Sequence, residues 1–437
     1  MEHRLTRLSQ HWNVALSVGL AIALTTSGCG QSSSQENADS GSDASATQEV
    51  VFWTMQLQPD FTDYFNELIA DFESQNPDTS VRWVDVPWGD MQSKILTSVS
   101  AGTAPDVVNL NPDFASQLAS RNAWLTLDNQ VSDVDKQTYL PKIWQSNTLN
   151  GESFGLPWYL TASVTIYNEE LFGQAQVDEP PSTFAELAIA AKKVKDTTGK
   201  YAFFITFVAD DAADILQSLV KMDVTLVDDQ GKAAFNTQEG KAAFQYWVDL
   251  YQNELIPRDV LTQGHRRGIE LYQAGEIAMV SSSPHFLDAI AKNAPSIAEV
   301  SSTAPQITGQ TGAMNVAAMN VVIPRGTDVP DAALDFALYV TNDVNQLSFA
   351  KEANVLPSTQ TALTDDYFTL EVSDASPGDK ARLVSAGQME QAEVLIPAME
   401  DVKQLQKIIY ENLQAAMLGQ KSVDDALADA EQSWNQR

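Results

Sequence analysis

The sequence predicts an α/β protein of two compact bodies joined by strands that cross between them. Three observations carry this. The chain has 437 residues, enough for two domains with cores of their own. Between Glu49 and Leu110 the pattern reads strand, helix, strand, helix, strand. The run Gly151–Phe172, GESFGLPWYLTASVTIYNEELF, reads as a strand that turns small and polar in its middle, at Thr161-Ala162-Ser163. A strand buried in one core fills such positions with large apolar groups, whereas a strand passing a wet cleft need not. The expectation is a hinge strand with a ligand against it.

Taken in order, the first thirty residues have a separate task. Arg4 and Arg7 form a positive n-region, and Val14–Leu24 is an apolar run of h-region length, too short to span a bilayer. Thr25-Thr26-Ser27-Gly28-Cys29 resembles a bacterial lipobox. That resemblance implies cleavage before Cys29 and a lipid on the cysteine, although Thr26 stands where the motif has a large aliphatic residue. Cys29 is the only cysteine, so the chain has no intramolecular disulfide and no cysteine metal site. Gly30–Thr47 has no apolar residue larger than Ala and reads as a flexible tether.

Glu49–Thr54 is a buried strand, and Asp60–Gln75 has helical spacing through Phe61, Phe65, Leu68 and Phe72. Asn76-Pro77-Asp78 stops that helix. Val81–Val86 alternates as a strand, Met91–Ser100 is a helix and Asp106–Leu110 a strand. Beyond the crossing, Thr183–Lys195 is an amphipathic helix, capped by Ser182 or Thr183. Tyr201–Phe207 (YAFFITF) reads as a strand, Asp210–Met222 as a helix, and Lys221–Asn236 as a β-hairpin around Asp228-Asp229-Gln230-Gly231. Gln238–Gln252, Arg266–Ala274 and Phe286–Lys292 read as helices, with a strand at Ile277–Ser281. Met314–Ile323 would be a second crossing and Ala353–Leu356 a third, separated by helices at Pro330–Thr341 and Asn345–Lys351. From Pro397 onward the chain is helical.

Several of these segments, in order from about Val50 to the end, resemble the family 1 extracellular solute-binding proteins of ABC importers. They are FWT, ADFESQNPDTSVRWVDVPW, SAGTAPDVVNL, FGLPWYLTASVTIYNEELF, PPSTFAEL, LYQAGEIAM, Ser283-Pro284-His285, Val355-Leu356-Pro357-Ser358 and GQKSVDDALADAEQSW. The resemblance implies a bilobal periplasmic-binding-protein fold, two α/β lobes joined by hinge crossings. Signal peptide and tether would occupy 1–28 and 29–47. Lobe 1 would comprise 48–160 plus 315–354, and lobe 2 161–314 plus 355–437. It also implies a small carbohydrate ligand, ABC permease subunits as partners, and an extracytoplasmic place at the membrane.

Sugar recognition combines aromatic faces for C–H patches with side chains that match hydroxyls. The chain has nine tryptophans. Trp53 ends the first strand, Gln56 follows it, and Trp88 lies in a Pro-Trp-Gly turn. Asn111 and Asp113 follow the third strand, where the family places a ligand carboxylate. Trp158 and Tyr159 flank the crossing, and Thr161 holds a position where some relatives have a charge. Asp210 follows Tyr201–Phe207, and His285 stands where relatives often carry Trp. Trp247, on an apolar helix face, is assigned to a core. None of the nominated residues is Lys or Arg.

Composition narrows the function classes. Net charge is −32, from 58 acidic and 26 basic residues, which argues against nucleic acid and against broad docking on anionic lipid. Gly-x-Ser-x-Gly, His-Glu-x-x-His, P-loop and Gly-x-Gly-x-x-Gly motifs are absent. Two of the four histidines lie in the signal region, which leaves too few for a histidine metal site. The expectation is a monomeric, non-enzymatic binding lipoprotein without cofactor or metal, taking a small oligosaccharide or glucoside. Its competitors are a binder of a charged solute (phosphodiester, polyamine or ferric ion), an extracellular glycoside-active enzyme and a structural envelope protein.

Overall fold

The computed structural model describes residues 47–370, 376–396, 398–399 and 401–437. The expected signal peptide, the lipidation site Cys29 and the tether up to Ala46 lie outside the described residues. β1 (Gln48–Met55), α1 (Thr62–Gln75), β2 (Thr79–Val86), α2 (Trp88–Ala101) and β3 (Val107–Leu110) follow in the expected order. β1 runs parallel to both β2 and β3, with Phe52 beside Trp83 on one side and Val107 on the other. Parallel strands covered on both faces are apolar throughout, and β3 is buried along its whole length. The spacing of Phe65, Leu68 and Phe72 turns one face of α1 onto this sheet. α2 ends at Gly102, whose left-handed backbone (φ 67°) would strain a larger residue. α3 (Pro112–Ala119) starts where β3 ends.

β4 (Leu156–Thr161) and β5 (Val164–Asn168) follow. Then come α4 (Phe184–Thr198), α5 (Asp214–Lys221), α6 (Gln238–Gln252), α7 (His265–Gln273), β6 (Met279–Ser282), α8 (Phe286–Asn293) and β7 (Ser301–Ala304). Thr183 caps α4, in a capping box with Glu186. One expected strand does not form, and one expected hairpin is much shorter than expected. Tyr201–Phe207 bonds to the edge of the 277–279 segment only through Tyr201 and Ala202. Farther along, the Thr206 hydroxyl bonds the Gln263 carbonyl and the Val208 N–H, and the segment bends away. Lys221–Asn236 holds a single bridge, Val227 to Ala233, because Lys221 still belongs to α5 and Asp228 closes a tight turn on the N–H groups of Gln230 and Lys232. The helix expected from Asp210 begins only at Asp214.

The chain continues through β8 (Ala317–Val322), α9 (Pro330–Val340), α10 (Asp343–Ala353) and β9 (Leu356–Pro357). It closes with α11 (Pro377–Gly387), α12 (Val402–Met417) and α13 (Val423–Asn435). The strand expected over Met314–Ile323 is split: Met314-Asn315 pairs with Ala392-Glu393 before β8 begins.

One sheet has six strands in the order β9-β4-β8-β3-β1-β2, and another has three in the order β6-β5-β7. β4 and β5 are consecutive in the chain yet lie in different sheets, so the chain changes sheet at Ala162-Ser163. The three expected crossings, β4, β8 and β9, are neighbours in the larger sheet. Ala162 is buried rather than wet: its carbonyl accepts from Ser385 Oγ at 3.1 Å, and that of Ser163 accepts from Gln388 Nε2 at 3.2 Å. Small residues let α11 and the turn after it reach the backbone here.

Separate apolar clusters accompany the two sheets. Phe52, Phe65, Trp158 and Phe336 pack on one face of the six-stranded sheet, and Met91, Ile95, Leu110 and Val322 on the other. Val164, Phe207, Phe244, Trp247, Ile409 and Leu413 belong to the core around the three-stranded sheet. Trp247 is buried as expected, its indole N–H donating to Ser218 Oγ at 3.0 Å. Trp158 stacks on Phe349 with ring centroids 4.9 Å apart. Trp158→Ala should therefore lower unfolding free energy by about 3–5 kcal/mol in urea denaturation.

Candidate ligand cleft

Two cavities are walled from both sides of the sheet change, and each contains residues nominated from sequence. The larger, about 340 Å³, joins Asp113, Gln117 and Arg121 to Asp210, Asp401 and Lys403. Asp113 occupies the first turn of α3, where the helix dipole favours a carboxylate. Its partner is Lys403 Nζ at 3.3 Å, from α12. α3 packs on β8 of the six-stranded sheet, and α12 sends Leu405, Ile409 and Leu413 into the other core, so this ion pair joins the two bodies. Both side chains are about half exposed (45% and 53%), so the pair contributes little to stability.

The second cavity, about 190 Å³, brings Thr161 of the crossing together with Ser283, His285, Asn354 and Arg382. Arg382 is nearly buried, ion-paired with Asp379 at 2.6 Å, and stacked 3.8 Å over the Tyr367 ring. Asn354 ends α10 in a left-handed conformation (φ 50°), and its buried Oδ1 has no partner among the described residues. His285 is exposed, 3.7 Å from Asp288.

The other nominated residues lie elsewhere. Asn111 spends its side chain capping α3, accepting from the Phe114 N–H at 2.8 Å. Trp53 is 9% exposed, and Lys94 Nζ sits 4.3 Å over its ring. Gln56, at left-handed φ 52°, accepts from the Trp88 N–H at 3.2 Å, and the Trp88 side chain stands out at 44% exposure. This pair lines neither cavity. Trp158 corrects its nomination: it is fully buried in a core and has no face for a ligand. Tyr159, half-buried, packs edge-on against Trp158 at 5.0 Å, and burial pushes its phenol pKa up, so it stays a hydrogen-bond donor. Sequence reasoning missed Arg121, Lys403 and Arg382. Their positions in the cavities depend on chain segments far apart, and no local pattern marks them. The residues nominated from sequence include no Lys or Arg, whereas both cavities have such residues in their walls.

Among the described residues no group of three or more His, Cys, Asp or Glu is placed to hold a metal ion. Lys221 is a buried cation apart from both cavities. It donates to Gln306 Oε1 at 3.0 Å and to the Ile307 carbonyl at 3.1 Å. Burial pulls its pKa down to about 8, against the opposing pull of Asp214.

Two α/β bodies, three adjacent crossing strands and polar cavities walled from both sides define a protein that encloses a solute between lobes. The chain belongs to the bacterial extracellular solute-binding protein family, whose model matches residues 58–347. A protein of Synechococcus sp. MITs9220, provisionally named an oligosaccharide periplasmic-binding protein, is 41% identical, with TM-score 0.84 over 89% of this chain and 98% of that one. The same protein in complex with zinc superposes with TM-score 0.81 over the same shares at 42% identity. The arabinooligosaccharide-binding protein of Halalkalibacterium halodurans is 26% identical over 68% of each chain. The family is that of extracellular solute-binding proteins, and these relatives are named as binding proteins rather than enzymes.

The depressed Lys221 gives a pH test. Unfolded, this lysine keeps its proton up to about 10.5; folded, it releases it near 8. The unfolded state binds more protons within that window, so the contribution to stability rises with pH from about 8 to 10.5. Lys221→Met should remove that rise, read as the wild-type-minus-variant difference in unfolding free energy at either end of the window.

Proposed function

We propose that this chain is an extracytoplasmic receptor that binds a small oligosaccharide or glucoside between its lobes and passes it, unaltered, to an ABC permease. The observation that carries the reading is the pair of cavities built from both sides of the crossings and lined with alternating donors and acceptors. Relatives named for oligosaccharides support the cargo class. The lobes comprise 48–160 plus 315–354 and 161–314 plus 355–437, and ligand contacts to both stabilise the closed form. Asp113, Asp210, Thr161 and His285 bear on the sugar from the cavity walls, and Tyr159 donates its hydroxyl beside the crossing. Trp88 and Gln56 extend the binding surface at the rim, while Trp53 and Asn111 hold its base. The protein acts as a monomer without cofactor, is tethered by lipid at Cys29 after signal cleavage, and carries out no chemistry on its cargo.

The charged-solute reading is weaker. Lys403 is paired with Asp113 and Arg382 with Asp379, which leaves Arg121 as the one cation of the two cavities without a carboxylate partner among the described residues, fewer basic groups than an anion site needs. No tyrosine pair is adjacent in sequence to serve ferric ion.

Calorimetry of the full chain against neutral oligosaccharides, glucosides and anionic solutes tests this. A neutral sugar should bind, and Asp113→Ala should weaken it by about 1–3 kcal/mol with the melting temperature of the free protein unchanged. Binding of anions alone, or recovery of a cleaved carbohydrate, sinks the proposal.

A further inference from the structure

A third cavity, about 110 Å³, lies wholly on the side of the three-stranded sheet and shares no lining residue with the two cleft cavities. We propose that it is a separate binding site for a short neutral polyol, a three-carbon molecule of the size of glycerol.

Its construction follows from the sheet. Thr165 of β5 and Ser281 of β6 are register partners, so they project from the same face, and both line the cavity. Ser281 is exposed and marks the mouth. Phe203, Phe204 and Trp247 make an aromatic wall, and Asp214, Lys221 and His265 make a polar one.

The polar wall has capacity for a guest. The Asp214 carboxylate, half-buried in the first turn of α5, lines the cavity and has no hydrogen-bond partner among the described residues. Burial pushes its pKa up, His265 and Lys221 pull it back, and Asp211 adds to the rise. Lys221 spends two N–H groups on Gln306 and Ile307 and keeps one. Asp214 and Lys221 are seven residues apart on α5, hence on one face and about 10 Å apart along its axis. The site therefore offers an acceptor at one end and a donor at the other, with charges that offset each other.

This lining selects a guest. An ion gains little from a wall whose charges cancel, and both wall ions are already pushed towards their neutral forms. In a polyol one hydroxyl donates to the carboxylate at one end while another accepts from the ammonium at the other. C–H groups between hydroxyls suit the aromatic wall. The cavity, about 110 Å³, has room for a three-carbon polyol.

Saturation-transfer NMR on the full-length protein with free glycerol as probe tests the proposal, with glycine as a zwitterionic control of similar size. The expected result is a saturable glycerol signal in the millimolar range. Asp214→Asn should weaken it by roughly tenfold, and Ser281→Leu, which fills the mouth, should abolish it. Circular dichroism checks that each variant is folded; if Asp214→Asn is not, Ser281→Leu decides. A signal that never saturates, one that survives in the folded variants, or binding of glycine in place of glycerol overturns the proposal. Because the probe is glycerol alone, the outcome does not depend on whether the cleft takes a sugar.

Discussion

The passage of backbone between two sheets is the constraint on which the rest of the structure depends. Three segments make that passage side by side, as β4, β8 and β9, and each must satisfy its peptide groups where regular pairing stops. Side chains take over. The Pro157 carbonyl accepts from Gln346 Nε2 at 3.2 Å and from Ser358 Oγ at 2.9 Å. Asn147 Nδ2 donates to Asn320 Oδ1 at 2.5 Å in the middle of β8. These amides and hydroxyls are fully or almost fully buried, and a buried polar group without its partner costs far more than the bond yields on the surface. The crossing region is thus held by a polar network, while each body is held by an apolar core.

That division explains which parts of the fold were legible in sequence. Apolar periodicity sets α1, α2 and the parallel strands beside them, because one face of each must meet the sheet. The sheet change was legible for a related reason: Thr161-Ala162-Ser163 interrupts an otherwise strand-like run. The expected cause, water, applies only in part, since α11 supplies donors to the backbone there. Tyr201–Phe207 misled because aromatic and β-branched content describes a buried segment without saying that its backbone pairs. β7, Ser-Ser-Thr-Ala, was invisible because an edge strand of small polar residues has no apolar alternation to detect.

The site was legible in outline and not in its charges. Trp88 and Trp158 carry the same local signal, yet one stands exposed at the start of a helix and the other fills a core. Only pairing register decides which face of β4 meets the core, and register is a property of the neighbours. Asp113 was nominated because the resembled family places a ligand carboxylate there; its position in the first turn of α3 also has a local reason, the helix dipole. Lys403 and Arg382 were not, because they arrive from the C-terminal third of the chain.

Those late-arriving cations bear on how a protein of net charge −32 would hold the neutral guest proposed for it. A cleft lined only with carboxylates would draw cations and reject anions, whatever its shape. Here Lys403 offsets Asp113, Arg382 is offset by Asp379, and the larger cavity adds one further charge of each sign, Arg121 and Asp210, so cations and carboxylates balance locally. At physiological salt the remote surface charges are screened beyond about 8 Å, whereas paired groups in a partly closed cavity are not. What remains for the proposed guest is a wall of donors and acceptors. Hydroxyl groups answer both roles at once, so under the proposed reading a sugar is chosen by their placement.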